Sequence, residues 1–415
     1  MGTDPRAEIV VVGGGAAGAT ATRTLLTEGE PGSVVLLSGE AATPYDRTDL
    51  SKAVLTGARD TPAALYADDL VHDRLTVRTD TTVTNLDRED HRLDLDDGTH
   101  LHYGRLLLAT GAEPRDLPLP GRDLDGVHLV REWAATPALR DAVRSGGHLV
   151  VVGGGVIGLE VAAAARGHGT DVTVLEVADR LMGRVLPPEV ADVLATEHAA
   201  QGVHLELGVR PAALVGDDRV RGVALTDGRT LPADAAVIAI GVRPRTRLAA
   251  DAGLAVDDGI VVDRSLRTTD PDVLAAGDVV RIRDAGGFLR PRSEAWTPAL
   301  SMGQHAARVL LGDEAPYDEV PWMWSDQYDL KLQAAGAGLD GLTAVVRGRF
   351  ADPDGLAVFG VDDAGIVRGV AGVSRGARIG RTVRAGQLLI QHAVAVPADQ
   401  LADPTVELRR QIRGV

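Results

Sequence analysis

Cysteine is absent from the 415 residues. That excludes a disulfide-stapled scaffold, thiolate metal centres and any reactive thiol or redox-active dithiol. Electron traffic through such a chain needs a bound group, because the protein has no sulfur couple of its own. Aromatic residues contribute only 3%, so the core has to be assembled from Ala, Val and Leu. Lysine is scarce as well: of 43 basic residues only Lys52 and Lys331 are lysines. No apolar run reaches the length of about 18 residues that a membrane span needs, and no basic stretch opens into an apolar one near Met1. A net charge of −16 argues against a nucleic-acid or polybasic membrane surface. A soluble cytoplasmic protein is expected, monomeric or weakly dimeric, without a metal site.

Glycine, by contrast, is abundant at 49 residues, and the glycines fall into a pattern. The apolar run Glu8 to Val12 reads as a buried strand, and Gly13, Gly14, Gly15, Ala16, Ala17 and Gly18 follow it, opening an Ala/Leu-rich helix that ends near Glu28. A second apolar run, Ser33 to Leu37, leads to Glu40. This is the G-x-G-x-x-G fingerprint in its strand-to-helix context with a carboxylate at about the spacing that takes a ribose hydroxyl. Gly13 permits the tight turn, Gly15 lets backbone N–H groups approach a pyrophosphate, and Gly18 lets helix and strand pack closely. The whole unit recurs: His148 to Val152, then Gly153, Gly154, Gly155, Val156, Ile157 and Gly158, a helix from Leu159 to about His168, and a strand Asp171 to Leu175 closed by Glu176. Two dinucleotide sites in one chain suggest a flavin that stays bound and a nicotinamide that visits.

On these motifs the sequence resembles the two-dinucleotide-binding flavoproteins, and within them the FAD-dependent NAD(H)–ferredoxin reductases that serve Rieske oxygenases and bacterial cytochromes P450. Further carriers of the resemblance are Pro44 to Lys52, Leu108 to Ala112 with Pro114, Ala239 to Val242 with Pro244, Ala275 to Asp278, Glu294 to Trp296 and Val320 to Tyr328. The resemblance implies tightly bound FAD at the first motif and transient NADH at the second. It implies Glu40 on the FAD ribose, Lys52 and Arg131 near the flavin or its phosphates, Val83 at the adenine, Asp278 at the ribityl or phosphate region and Trp296 beside the isoalloxazine. Arg47, Ala109, Thr110, Gly111, Gly277, Glu294 and Ala295 join this set, and Arg184 and Gly241 join the NADH set. Asp278 also sits after a strand-like run and a turn glycine, where a side chain can face a ligand at the carboxyl edge of a sheet; its other reading is a helix N-cap.

Glu160 lies in an apolar helix among alanines, where an unpaired carboxylate is costly to bury, so a partner is expected; complementing the helix dipole is the alternative. The resemblance supplies Lys52 as that partner, and Lys52 and Glu160 are the candidate catalytic pair. Glu176 at the ribose position favours NADH over NADPH, an inference that Arg180 and Arg184 close behind it weaken. With no thiol available, reduced flavin has to deliver its electrons directly, which suits a one-electron acceptor such as an iron–sulfur ferredoxin; a ferredoxin of the 2Fe–2S type is the expected partner. Two arginine groups are candidate docking surfaces for it, Arg281, Arg283, Arg290 and Arg292, and Arg375, Arg378, Arg381 and Arg384 on an expected helix; a solvated arginine face is the alternative. A Cys-free NADH:quinone or monodehydroascorbate-type reductase and an NADH-sensing module resembling apoptosis-inducing factor are the competing functions.

The expected fold class is α/β: two Rossmann-like dinucleotide-binding domains plus a C-terminal α+β domain. Residues 1–115 and 245–320 form a discontinuous FAD-binding domain, 116–244 the NADH-binding domain and 321–415 the C-terminal domain, with strands near Thr343 to Phe350, Leu356 to Val361 and Ile366 to Val373 and a helix near Ala377 to Ala395. The sequence departs from the family at Thr48-Asp49, where prolines are usual, and at Arg245, where Asn is common. Gly372-Val373-Ser374-Arg375-Gly376 matches a nucleophile elbow but lacks an acid between Ser374 and His392. His100 and His102 share a strand face without a third metal ligand nearby.

Overall fold

Both glycine-rich segments fold as strand, turn and helix. In a computed structural model, which describes residues 6–336 and 338–412, the strand Arg6–Val12 leads into the helix Ala16–Glu28, and His148–Val152 leads into Val156–Gly167. The apolar runs are strands because both faces are covered: Ile9, Val10, Val11, Val150 and Val151 are fully buried. Burial of each such side chain stabilises the fold by roughly 2 kcal/mol.

The chain divides into two compact units, residues 1–47, 62–113 and 242–319 in the first and 48–61, 114–241 and 320–415 in the second. In the first unit a sheet runs in the order Leu75–Arg78, Val34–Leu37, Arg6–Val12, His100–Leu108, Arg92–Leu95, Val83–Asp87, with Val273–Ala275 also paired to His100–Leu108. The pairs around Arg6–Val12 are parallel, whereas Val83–Asp87 and Arg92–Leu95 are antiparallel. The helices Ala16–Glu28 and Trp296–Leu310 pack together, and Gly303 allows it: a Cβ there would run into the Ala17 backbone.

In the second unit an all-parallel sheet has the order Val203–Leu207, Asp171–Glu176, His148–Val152, Ala235–Ile238, Val127–Leu129. An antiparallel three-stranded meander, Pro211–Gly216, Val220–Leu225 and Thr230–Pro232, accompanies it. The C-terminal sheet is antiparallel, in the order Trp322–Gln327, Leu330–Gly336, Val367–Arg375, Leu356–Val361, Thr343–Arg347, and the helix Ile379–Gln391 lies against it. Three of those strands and the helix lie where the sequence pattern puts them. The hairpin Trp322–Gln327 with Leu330–Gly336 is additional. Its strands are joined through Tyr328 and Asp329, with Tyr328 in the left-handed region at φ 55°, so it lacks the Asn-Gly or Asp-Gly signal by which two-residue turns are recognised.

Candidate active site

The two glycine loops share one stereochemistry. Gly13 has φ +121° and Gly153 +113°, values that a side chain disfavours. A Cβ on Gly13 would collide with the Ala109 carbonyl, and one on Gly153 with the Ala239 carbonyl; Gly18 and Gly158 would likewise strike the carbonyls of Gly13 and Gly153. The third glycine of each loop is different. Around a Cβ on Gly155 nothing lies within 4 Å, and around one on Gly15 only Arg47 Nε comes as near as 4.0 Å. Those two residues cap helices that have no side-chain cap hydrogen bond and no acidic residue in the first turn. Open space thus faces helix N–H groups that lack intrahelical partners, a donor set that fits a pyrophosphate. Ala16 and Ala17 continue the first loop into its helix, and Val156 and exposed Ile157 the second.

A carboxylate accompanies each loop. Glu40 follows the strand Val34–Leu37 and accepts from Tyr45 Oη at 2.6 Å and from Arg47, which also donates to Tyr45 Oη at 3.0 Å. Glu176 ends the strand Asp171–Glu176; the Gly154 N–H donates to its Oε2 and the Ala178 N–H to its Oε1, both at 2.8 Å. The loop backbone therefore orients Glu176. A carboxylate has about four acceptor positions, so each retains capacity for ribose hydroxyls.

The remaining candidates of the first unit sit at strand ends and turns. Val83 opens the strand Val83–Asp87. Ala109, Thr110 and Gly111 follow His100–Leu108; Thr110 donates to the Arg245 carbonyl at 2.9 Å, and the Arg245 N–H to the Gly111 carbonyl at 2.9 Å. Gly277, at φ +84°, and Asp278 follow the strand Val273–Ala275. The next element is the strand Val280–Ile282 rather than a helix, which removes the N-cap reading of Asp278. Glu294 pairs with Arg292 at 2.8 Å, Ala295 caps the helix Trp296–Leu310, and Trp296 is its first residue. In the second unit Arg131 follows Val127–Leu129, and a Cβ on Gly241 would lie 3.5 Å from the guanidinium of exposed Arg184.

The second unit also brings Lys52 to Glu160. Lys52 caps the short helix Ala53–Thr56, and Glu160 projects from the helix Val156–Gly167. Lys52 Nζ lies 2.8 Å from Glu160 Oε1, with side-chain exposures of 23% and 1%. Ser325 Oγ donates to the same oxygen at 2.6 Å, and Ser51 Oγ donates to Oε2 at 2.5 Å. Lys52 Nζ also stands 5.9 Å from the centroid of Trp324, which is stacked on Trp322. Behind Ser325, Gln327 Nε2 donates to its Oγ at 3.1 Å, and His198 Nε2 lies 2.8 Å from Gln327 Oε1. His198 Nδ1 lies 3.1 Å from Tyr328 Oη. Burial, the larger influence, pushes the His198 pKa down against the upward pull of the Gln327 hydrogen bond. Sequence reasoning omitted Ser51, Ser325, Gln327 and His198 from the site. Ser51, Ser325 and Gln327 lie within the motifs around Lys52 and Trp324, so a signal existed; His198 carries none.

Other candidates resolve differently. Arg281 pairs with Asp257, Arg290 with Asp318, and Arg292 with Asp258 and Glu294. The second arginine group does not share one helix: Arg375 ends the strand Val367–Arg375, where Asp329 and Glu197 pair with it, and Arg378 precedes the helix that carries Arg381 and Arg384. Ser374 is buried in that strand and donates to the Gly376 carbonyl at 2.7 Å, as a structural hydroxyl does. Among the described residues no His, Asp or Glu cluster is arranged to hold a metal, and no helix is long and apolar enough to cross a membrane.

Comparison with known proteins gives the same outline. Residues 7–303 match the pyridine nucleotide-disulphide oxidoreductase family and residues 322–412 the reductase C-terminal family. Rhodocoxin reductase of Rhodococcus erythropolis is 41% identical over 82% of this chain and 80% of its own length. The anthranilate 1,2-dioxygenase system ferredoxin–NAD(+) reductase component of Burkholderia cepacia is 38% identical over 99% of both chains. Among solved structures, the ferredoxin reductase for the CYP199A2 system from Rhodopseudomonas palustris superposes with a TM-score of 0.90 at 34% identity, covering 97% of this chain and 99% of that one. The reductase in the covalent putidaredoxin reductase–putidaredoxin complex does so with a TM-score of 0.90 at 31% identity, covering 99% of both.

Proposed function

The chain belongs to the pyridine nucleotide-disulphide oxidoreductase family, and on that footing we propose that it is an FAD-dependent NADH:ferredoxin oxidoreductase. It takes reducing equivalents from NADH and passes single electrons to a 2Fe–2S ferredoxin that feeds a Rieske oxygenase or a cytochrome P450. The carrying observation is the pair of open, uncapped glycine loops, each with its own carboxylate, in a chain without cysteine. A relay through a disulfide of the chain's own, the chemistry for which the family is named, is excluded by the absence of cysteine.

When bound, FAD supplies the exchange between two-electron and one-electron chemistry that the protein's own side chains lack. The residues of the first loop, Gly13 to Gly18, hold its pyrophosphate and Glu40 its ribose. Arg47, Val83, Ala109, Thr110, Gly111, Arg131, Gly277, Asp278, Glu294, Ala295 and Trp296 complete its surroundings. The second loop, Gly153 to Gly158, holds NADH with Glu176, Arg184 and Gly241. Glu176 accepts hydroxyl donors and repels a 2′-phosphate, which selects NADH. Lys52 and Glu160 orient the reacting partners, the Lys52 ammonium being held by a carboxylate almost wholly withdrawn from solvent. Residues 1–115 with 245–320, residues 116–244 and residues 321–415 then act as FAD, NADH and C-terminal domains, in a cytoplasmic monomer or weak dimer.

The test is reduction of cytochrome c by NADH with and without added 2Fe–2S ferredoxin. Rapid reduction only when ferredoxin is present supports the reading. Equal turnover with a quinone alone overturns the ferredoxin assignment, and slow bleaching of the flavin by NADH overturns the assignment as a turnover enzyme.

A further inference from the structure

The hydrogen bonds behind Glu160 have a direction. An ionised carboxylate only accepts, so Ser325 spends its proton on Glu160 Oε1, at 2.6 Å. Ser325 Oγ is then the acceptor for the Gln327 amide N–H at 3.1 Å, which turns the Gln327 carbonyl toward His198 Nε2 at 2.8 Å. That nitrogen must carry the ring proton. His198 is buried and its pKa is lowered, so the ring is neutral and Nδ1 is an acceptor for the Tyr328 hydroxyl at 3.1 Å. Every donor points the same way, from Tyr328 to Glu160, across two helices and one strand of the same unit. Ser325 and Gln327 reach one face because they stand two apart on the strand Trp322–Gln327.

We propose that Ser325, Gln327 and His198 are positioning residues, a one-way hydrogen-bond chain that fixes the Glu160 carboxylate and through it the Lys52 ammonium. The chain orients and does not conduct: a proton cannot pass the Gln327 amide without forming its high-energy imidic tautomer. Gln327, Ser325 and His198 have side chains withdrawn from solvent, where an unmade hydrogen bond is costly and a completed network specifies a single geometry. This rests on the reading of Lys52 and Glu160 given above.

The experiment measures the limiting rate of flavin bleaching by NADH in the flavin-loaded full chain for Glu160→Gln, Ser325→Ala and the double variant. Ser325→Ala is expected to lower that rate about tenfold, through misplacement of the pair, with half-saturating NADH changed less than about twofold. In the Glu160→Gln background the same substitution is expected to add nothing, as for residues that act as one unit. Fully additive effects, or an unchanged Ser325→Ala rate beside a slow Glu160→Gln, overturn the chain and leave the Lys52–Glu160 reading standing. An unchanged Glu160→Gln rate overturns that reading and the proposal together. Independent of turnover, nitrogen-15 NMR of His198, assigned by its loss in His198→Gln, is expected to report an Nε2-protonated neutral ring; an Nδ1-protonated ring overturns the proposal. His198→Gln keeps an amide donor for Gln327 and is expected to retain the rate that His198→Leu loses; equal rates in the two count against it.

Discussion

Glu160 and Lys52 meet at 2.8 Å, the Glu160 side chain almost wholly withdrawn from solvent and the Lys52 side chain less than a quarter exposed. Two serine hydroxyls complete the carboxylate's shell. The pair is therefore asymmetric: the acid depends on its partners for solvation, while the base retains access to water.

That asymmetry predicts how the pair fails. Lys52→Met leaves a buried carboxylate without a cation and is expected to destabilise the protein by about 3 kcal/mol, as broken buried pairs do. Replacing Glu160 by Met as well is expected to recover most of that loss, because no uncompensated charge remains. Urea unfolding of the two variants checks both expectations, and equal stability of Lys52→Met and the parent contradicts the first.

The proposed assignment of FAD to the first glycine loop and NADH to the second predicts different outcomes for substitutions in the two. Gly13→Ala drives a Cβ into the Ala109 carbonyl and Gly153→Ala drives one into the Ala239 carbonyl, each at a positive φ. Gly13→Ala is expected to purify without the yellow colour. Gly153→Ala is expected to stay yellow, with KM for NADH raised at least about tenfold through loss of the anion-binding loop. Absorbance near 450 nm on the purified variants, followed by NADH titration, separates the two; reversed phenotypes contradict the assignment.

Glu176 predicts cofactor choice. Its two oxygens are fixed by the Gly154 and Ala178 N–H groups, and on the function proposed above its charge meets the nucleotide ribose. Glu176→Gln keeps the shape and removes the repulsion, and kcat/KM for NADPH relative to NADH is expected to rise by about tenfold. Steady-state kinetics with both nucleotides measure this ratio, and an unmoved ratio contradicts the role.

One buried and two partly buried histidines predict an acid limb of stability. His198, His128 and His305 all have pKa values lowered chiefly by burial. Their depressed folded-state pKa means that the unfolded chain binds the extra protons, so stability is full above the ordinary histidine pKa of about 6.5 and declines as pH falls below it. Each contributes a slope of at most about 1.4 kcal/mol per pH unit. His198→Gln is expected to flatten the decline by one proton's worth, measured by denaturation at a series of pH values.

Elements whose signal is local were legible. The strand, glycine turn and helix around Gly13 and Gly153 were read to within a few residues because alternation, turn chemistry and helix pattern lie within one contiguous stretch. The hairpin around Tyr328 was not, since a tyrosine at φ 55° gives no turn signal. The arginines at 375, 378, 381 and 384 show the opposite error: regular spacing suggested one helical face, yet Arg375 belongs to a strand.

By itself the sequence determined two dinucleotide loops, a carboxylate beside each and the impossibility of thiol chemistry, because backbone conformation at glycine and the identity of side chains are local properties. Only tertiary structure decided what surrounds Glu160. Ser51 is separated from it by 109 residues and Ser325 by 165, and His198 reaches it only through Gln327, across a separation of 129. No periodicity spans such distances. A buried carboxylate needs donors, but which donors arrive depends on how helices and sheets pack, and that is settled by the whole core at once.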